Sequence, residues 1–255
     1  DECGLVLENE NNRLEKRRIE EKARAEELRA NLLRAISHDL RTPLTNISGT
    51  AALLMDNELP ENKRRQMYTS VYDDARWLIN LVENLLSITR MEGGSRIENT
   101  QPELLDDVFR EAVSHADRKL GEHKLSVQLG DELLMAYMDA RLIVQVIINL
   151  LNNAVKYTPP GSHICLSAAA RADRVIISVS DDGDGIADDV KNKIFDMFYT
   201  SGKASSDARR GLGLGLALCK SIVEAHGGSI SVLDNVPHGA VFTFDLKRAE
   251  VQSDE

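Results

Sequence analysis

Two runs of apolar residues recur at helical spacing, and together they are too broad to bury each other. Leu32, Ile36, Leu40, Leu44, Ile47, Ala51 and Leu54 repeat every three or four residues. After Pro60 the same rhythm returns in Met67, Val71, Ala75, Leu78, Leu81, Val82, Leu85 and Ile88, and Gly93-Gly94 ends it. Pro43 is expected to kink or loosen the first helix. The short connection makes the pair an antiparallel hairpin. Its apolar face cannot be covered within one hairpin, so two hairpins are expected to pair into a four-helix bundle. Upstream, residues 8–34 mix both charge signs with almost no helix breaker. Leu7 and Leu14 are a heptad apart, but Arg18 and Glu21 interrupt the seam, so this long helix reads equally as a coiled coil or a solvated connecting helix.

After Gly93 the pattern changes to alternating helix and strand. A helix is expected near 104–120, strands near 124–129 and 134–138, and a helix N-capped by Asp139 running to about Tyr157. Two hairpins follow, 163–170 with 175–181 and 229–233 with 241–246, separated by a glycine-rich loop and a helix over 214–225. Two compact units are what 255 residues allow.

The formal charge of -10 opposes nonspecific binding to nucleic acid or an anionic membrane. Cys3, Cys165 and Cys219 are few, odd in number and far apart, which suits reduced thiols in the cytosol rather than a disulfide scaffold or a metal cluster. No apolar run is long enough to span a bilayer. The chain starts at Asp1 without Met, so an upstream part is expected to be missing.

His38 falls about 200° around the helix from Ile36, on the side of Arg34, Arg41, Thr42 and Thr45, so it is not a core histidine. Exposure alone would leave it incidental. Its neighbours change that, because Ser-His-Asp-Leu-Arg-Thr-Pro-Leu, residues 37–44, resembles the H-box of sensor histidine kinases. The resemblance implies that His38 is the phosphorylated nucleophile and that Asp39 holds one ring nitrogen and assists as base. A fixed tautomer leaves the other nitrogen's lone pair free for the γ-phosphorus. Thr42, one turn after His38, would position a water that dephosphorylates a partner protein's aspartate. Back-bonding within the helix next to Pro43 is the plainer role for it.

In the helix from Asp139, Gln145, Asn149, Asn153 and Lys156 form one polar stripe, which solvent exposure alone would also explain. Residues 149–158, Asn-Leu-Leu-Asn-Asn-Ala-Val-Lys-Tyr-Thr, look like the family's N-box. By that resemblance Asn153 ligates Mg²⁺, Asn149 supports it, and Lys156 and Tyr157 contact phosphate and nucleoside. Asp181-Asp182-Gly183-Asp184-Gly185-Ile186 resembles the G1 box, in which Asp181 receives the adenine amino group. The family commonly has Asn where Asp182 stands, which adds negative charge near a nucleotide. Residues 194–199, including Phe198, resemble the F-box. Gly211-Leu212-Gly213-Leu214-Gly215-Leu216 matches the G2 box, whose glycines let backbone N–H groups approach phosphate ahead of a helix N-terminus. The polar run 199–210 reads as a mobile lid.

Five boxes in the family's order imply a fold of class α + α/β: a dimeric four-helix bundle bearing His38, followed by an α/β sandwich of the GHKL ATPase type. The expected limits are 1–27 for a connecting helix, 28–95 for the bundle, 96–248 for the ATP-binding domain and 249–255 for a tail. The implied cofactors are ATP and Mg²⁺. The implied partners are a second copy and a response regulator, with membrane contact only through upstream segments and the catalytic part in the cytoplasm. The H-box context looks most like potassium-responsive sensor kinases. A GHKL ATPase that drives conformational change needs no exposed His-Asp-x-x-Thr, and a silent scaffold would have lost Asn153, Asp181 or the glycines.

Overall fold

The computed structural model describes residues 16, 40–55, 59–91, 100–116, 118–130, 133–200 and 213–249. His38, Asp39, Gly211, Leu212 and most of the expected connecting helix and lid lie outside these residues. The chain divides into two compact units, Asp1–Val82 and Glu83–Glu255.

The first unit is helical, and its second helix continues past Val82 into the residues of the second unit. Helix α1 is continuous over 40–55, through Pro43, which sits in the first turn described. Helix α2 spans Glu61–Met91 and opens one residue after Pro60, with Glu61 in its first turn. The predicted apolar face is only half covered. Leu40, Ile47, Ala51 and Leu54 are half-buried, whereas Leu44 remains 53% exposed. On α2, Leu81 is buried, but Tyr68, Tyr72, Ile79 and Val82 form an exposed stripe at spacings of four, seven and three.

The second unit is a mixed sheet with helices packed on one face. Its strands are β1 (Gln101–Leu104), β2 (Lys124–Gln128), β3 (Met135–Met138), β4 (His163–Arg171), β5 (Arg174–Asp181), β6 (Ile230–Asp234) and β7 (Ala240–Ala249). They lie in the order β1-β3-β7-β5-β4-β2, with β6 paired to β7. Both expected hairpins are present, as β4–β5 and β6–β7. Strand β1 was not foreseen: its four residues include Pro102 and Glu103, and it serves as an edge antiparallel to β3. Strand β2 pairs with β4 in parallel.

Helix α3 (Leu105–His115) is shorter than the expected 104–120 segment, which continues as a 3₁₀ turn, Arg118–Glu122. Helix α4 (Ala140–Tyr157) packs between α3 and α5 (Gly215–Ala225) and against β5. Alternate residues of β5 and β7, including Val175, Ile177, Val179, Phe242, Phe244 and Leu246, point toward the helices and form the core with Ile143, Ile147, Leu150, Leu151 and Leu218. This layering sets the C-terminal end of β5 beside the last turns of α4.

Candidate nucleotide site

The site grows from the N-cap of α4. Asp139 Oδ1 accepts the N–H groups of Arg141 and Leu142 at 3.1 and 3.2 Å, which starts the helix where the sequence predicts. Eight apolar residues of α4 are buried, and this fixes the polar stripe on the opposite side. Gln145 leaves the group, because its Nε2 donates to Asn84 of the same unit at 3.0 Å. Asn149 lies beneath Gly215, where a Cβ would stand 3.9 Å from the Asn149 Cγ. Its Nδ2 is buried without an acceptor. Beside it, burial pushes the Cys219 thiol up to about 12, opposed by the Asn149 amide, which is directed at its sulfur, and this thiol is inert at neutral pH.

At the end of α4 the Lys156 Nζ lies 5.0 Å over the exposed Tyr157 ring. Thr158 folds back, its hydroxyl donating to Ala154 O at 2.7 Å. Gly183 packs on this end: a Cβ there would meet Thr158 Cγ2 at 2.9 Å and Asp181 Oδ1 at 3.0 Å.

Asp181, the last residue of β5, is a buried carboxylate. Its Oδ1 accepts N–H groups from Gly183 at 2.9 Å and Ala240 at 3.3 Å, and no donor among the described residues is directed at Oδ2. Burial pushes the Asp181 carboxyl above its ordinary range, the two N–H donors pull it back, and neighbouring Asp182 adds to the rise. The Asp182 carboxylate itself is committed elsewhere, accepting the His163 N–H at 2.9 Å and closing the β4–β5 ladder. The predicted charge is therefore present, but it is held at the start of β4.

Phe198 adopts a left-handed backbone, φ 67°, and its N–H donates to Gly213 O at 3.2 Å. Gly213 is itself left-handed, and a Cβ on it would fall 2.5 Å from Tyr199 O, so only glycine fits. Phe195 meets Phe242 edge to face, with ring centres 6.3 Å apart. Helix α5 begins at Gly215 with no side-chain cap at the buried Leu214, which leaves its first N–H groups for an anion. Gly185 and Ile186 continue the turn after Asp181, with Gly185 at φ 75° and Ile186 half-buried. Leu216 lies half-buried in the first turn of α5.

The contacts join Asn149 to Gly215 at the start of α5, Asp181 and Gly183 to the end of α4, Gly185 to Gly239 of the β6–β7 turn, and Gly213 to Phe198 and Tyr199. Thr42 is exposed on α1 in the other unit. Sequence reasoning passed over the β6–β7 turn, whose Asn235 donates from Nδ2 to Asp181 O at 2.7 Å and whose His238 lies against Gly183 O at 3.3 Å. Their only linear signal is a polar Asn and His in a Pro- and Gly-containing turn.

Among the described residues no three His, Cys, Asp or Glu side chains converge on a metal position. Asn149 and Asn153 lie one turn apart on α4, and a carboxamide oxygen is a ligand Mg²⁺ accepts when phosphate and water complete its shell. This donor set fits a cation that arrives with a nucleotide.

Residues 28–94 match the family model of the His Kinase A (phospho-acceptor) domain, and 138–250 that of the histidine kinase-, DNA gyrase B- and HSP90-like ATPase. The sensor protein KdpD of Clostridium acetobutylicum is 45% identical over 221 residues, 86% of this chain and 25% of that protein. The alginate biosynthesis sensor protein KinB of Pseudomonas aeruginosa is 35% identical, over 83% of this chain and 35% of that protein. This chain therefore spans about a quarter to a third of these relatives. The solved histidine kinase ThkA in complex with the response regulator TrrA superposes with TM-score 0.66 at 25% identity, over 86% of this chain and 61% of that one. With both domain models in the family's order and the likeness to sensor kinases running over most of its length, the chain belongs to the two-component sensor histidine kinases.

Proposed function

We propose that this chain binds Mg-ATP in the second unit, transfers the γ-phosphoryl group to His38, and passes it to an aspartate of a response regulator. The observation that carries the reading is Asp181: a buried carboxylate with one oxygen fixed by two backbone N–H groups and the other without a donor among the described residues. That oxygen suits the exocyclic amino group of adenine. Lys156, Tyr157 and the uncapped start of α5, with Gly211 and Leu212 before it, supply phosphate and nucleoside contacts. Mg²⁺, held by Asn153 with Asn149 in support, would neutralise charge on the triphosphate.

In the transfer, a neutral His38 ring nitrogen forms the N–P bond as the bond from phosphorus to the ADP oxygen breaks. Asp39 accepts the hydrogen bond of the other ring nitrogen, balances the positive charge that develops on the ring, and takes that nitrogen's proton as base. Phosphotransfer restores neutral His38. Thr42, exposed one turn later, orients a water for hydrolysis of the phospho-regulator. The exposed stripe Tyr68, Tyr72, Ile79 and Val82, with Leu44, supports a homodimeric bundle. No helix among the described residues is long and apolar enough to cross a membrane. On its kinship with sensor proteins, we assign this part to the cytoplasmic side of a membrane-anchored sensor. The domain limits we assign are 28–95 and 96–248.

Labelled ATP tests the proposal. The chain should acquire acid-labile phosphate, as a phosphoramidate is, and His38→Gln should lose it while binding ATP nearly as before. Acid-stable label, or full labelling of the variant, refutes it.

A further inference from the structure

The carbonyl of Asp181 stands just past the end of a ladder. Strand β5 pairs with β7 up to Ser180 and Val241, so the next carbonyl on that side has no strand partner. Asn235 supplies one. Its Oδ1 accepts the Val236 N–H at 2.9 Å, and its Nδ2 donates to Asp181 O at 2.7 Å. These two bonds settle the amide's orientation, because a flipped amide would set nitrogen against N–H and oxygen against carbonyl. The Asn235 N–H closes the turn onto Gly239 O at 3.0 Å.

The rest of the turn addresses the same short loop. The Ala240 N–H reaches Asp181 Oδ1, and the His238 ring faces Gly183 O at 3.3 Å, where a carbonyl can only accept, so Nδ1 carries the proton. A Cβ at Gly185 would stand 3.1 Å from Gly239 O. Asp234, one residue before Asn235, pairs with the Lys191 ammonium at 2.7 Å and ties the turn to the segment after the loop. Backbone and carboxylate of Asp181 are thus both held from a turn that lies more than fifty residues away in the chain.

We propose that Asn235 is a positioning residue for base selection: by holding the main chain of Asp181 it fixes where the unpartnered carboxylate oxygen meets the purine edge. This rests on the assignment of Asp181 to the adenine amino group. The Asn235 amide is spent on Asp181 O and the Val236 N–H, so its influence falls on discrimination rather than on the triphosphate contacts assigned to α4 and the start of α5. A site built to accept from an amino group rejects an analogue that presents a carbonyl there, provided the acceptor stays in place.

The experiment compares equilibrium binding of ATP and inosine triphosphate, which carries a 6-oxo group, to the whole chain and its variants. Asn235→Leu is expected to lower the ATP-to-inosine-triphosphate affinity ratio about tenfold, with inosine triphosphate affinity within about twofold of the parent. Asn235→Ser keeps a local acceptor for the turn but lacks the reach to Asp181. It carries the same expectation and decides the matter where the leucine variant fails to fold. Asp181→Asn should collapse the ratio, and adding Asn235→Leu to it should cause no further fall, since the one acts through the other. A parental ratio in the folded Asn235 variants, or an equal loss for both nucleotides, overturns the proposal. If Asp181→Asn leaves the ratio unchanged, the base-recognition reading falls first and the positioning role with it.

Discussion

Gly239 lies so close to Asp181 that a Cβ on it would fall 1.9 Å from the Asp181 carbonyl oxygen. Its φ of 113° is also a conformation L side chains rarely adopt. The turn and the loop are therefore in backbone contact, and no flexible side chain can yield. Gly239→Ala should destabilise the second unit by about 3 kcal/mol and abolish ATP binding at ordinary concentrations. Thermal melting with and without Mg-ATP checks this, and a parental melting curve would contradict it.

The buried carboxyl of Asp181 ties stability to pH. Its carboxyl is raised in the fold, chiefly by burial. A raised group contributes stability that is fully present below its unfolded value, about 3.9, and is lost as pH rises through the folded one. At neutral pH the charged side chain is thus a cost to the nucleotide-free protein. Asp181→Asn should raise the melting temperature of the free protein by a few degrees and remove most of the increase that Mg-ATP gives. Calorimetric scans of both proteins, with and without nucleotide, measure the two effects separately.

His226 joins the two helices that flank the site. Its Nδ1 donates to Ile222 O at 2.7 Å, and its Nε2 accepts the Asp139 N–H at 3.0 Å at the start of α4. Burial lowers its pKa, against smaller opposing pulls from the Ile222 carbonyl and the Asp139 carboxylate. Its stabilising contribution is therefore present above the unfolded value of about 6.5 and is lost as pH falls through the lower folded one. Protonation would set two donors face to face. Urea denaturation at pH 7.5 and pH 5 should show a loss of stability on acidification that is smaller in His226→Ala, although that variant is less stable at the higher pH. An identical pH dependence in the two proteins would remove His226 from the account.

Thr42→Ala should retain phosphorylation of His38 and lose most phosphatase activity toward the cognate phospho-regulator. A water-positioning hydroxyl has no part in the imidazole's own attack on ATP. The paired readouts are label incorporation and decay of purified phospho-regulator with ADP. Equal loss in both would indicate damage to the helix beside Pro43, and unchanged decay would show that Thr42 has no phosphatase role.

The parts of this fold readable from sequence are those coded locally. The apolar rhythm of α2, the cap at Asp139, the alternation in β4, β5 and β7, and the glycine-rich loop all follow from neighbours a few positions apart. What escaped depends on distant strands. Strand β1 carries no apolar alternation and exists because β3 offers it an edge. The parallel pairing of β2 with β4 joins strands separated in the chain by β3 and α4, so no local turn codes it. The role of Asn235 appears only once β6 and β7 bring it to the end of β5. The added charge at Asp182 was legible, but its engagement with His163 was not, since that bond belongs to the pairing of two strands.

The half-exposed stripe on α2 makes the stability of the proposed dimeric bundle a matter of concentration. A helix pair whose apolar side is completed by another molecule gains its stability in proportion to the logarithm of that molecule's concentration. The first unit should therefore melt at a temperature that climbs with protein concentration, while the second, which closes its own core, melts at a fixed one. Two transitions that separate in dilute solution and converge in concentrated solution would be the thermodynamic signature of Tyr68, Tyr72, Ile79 and Val82.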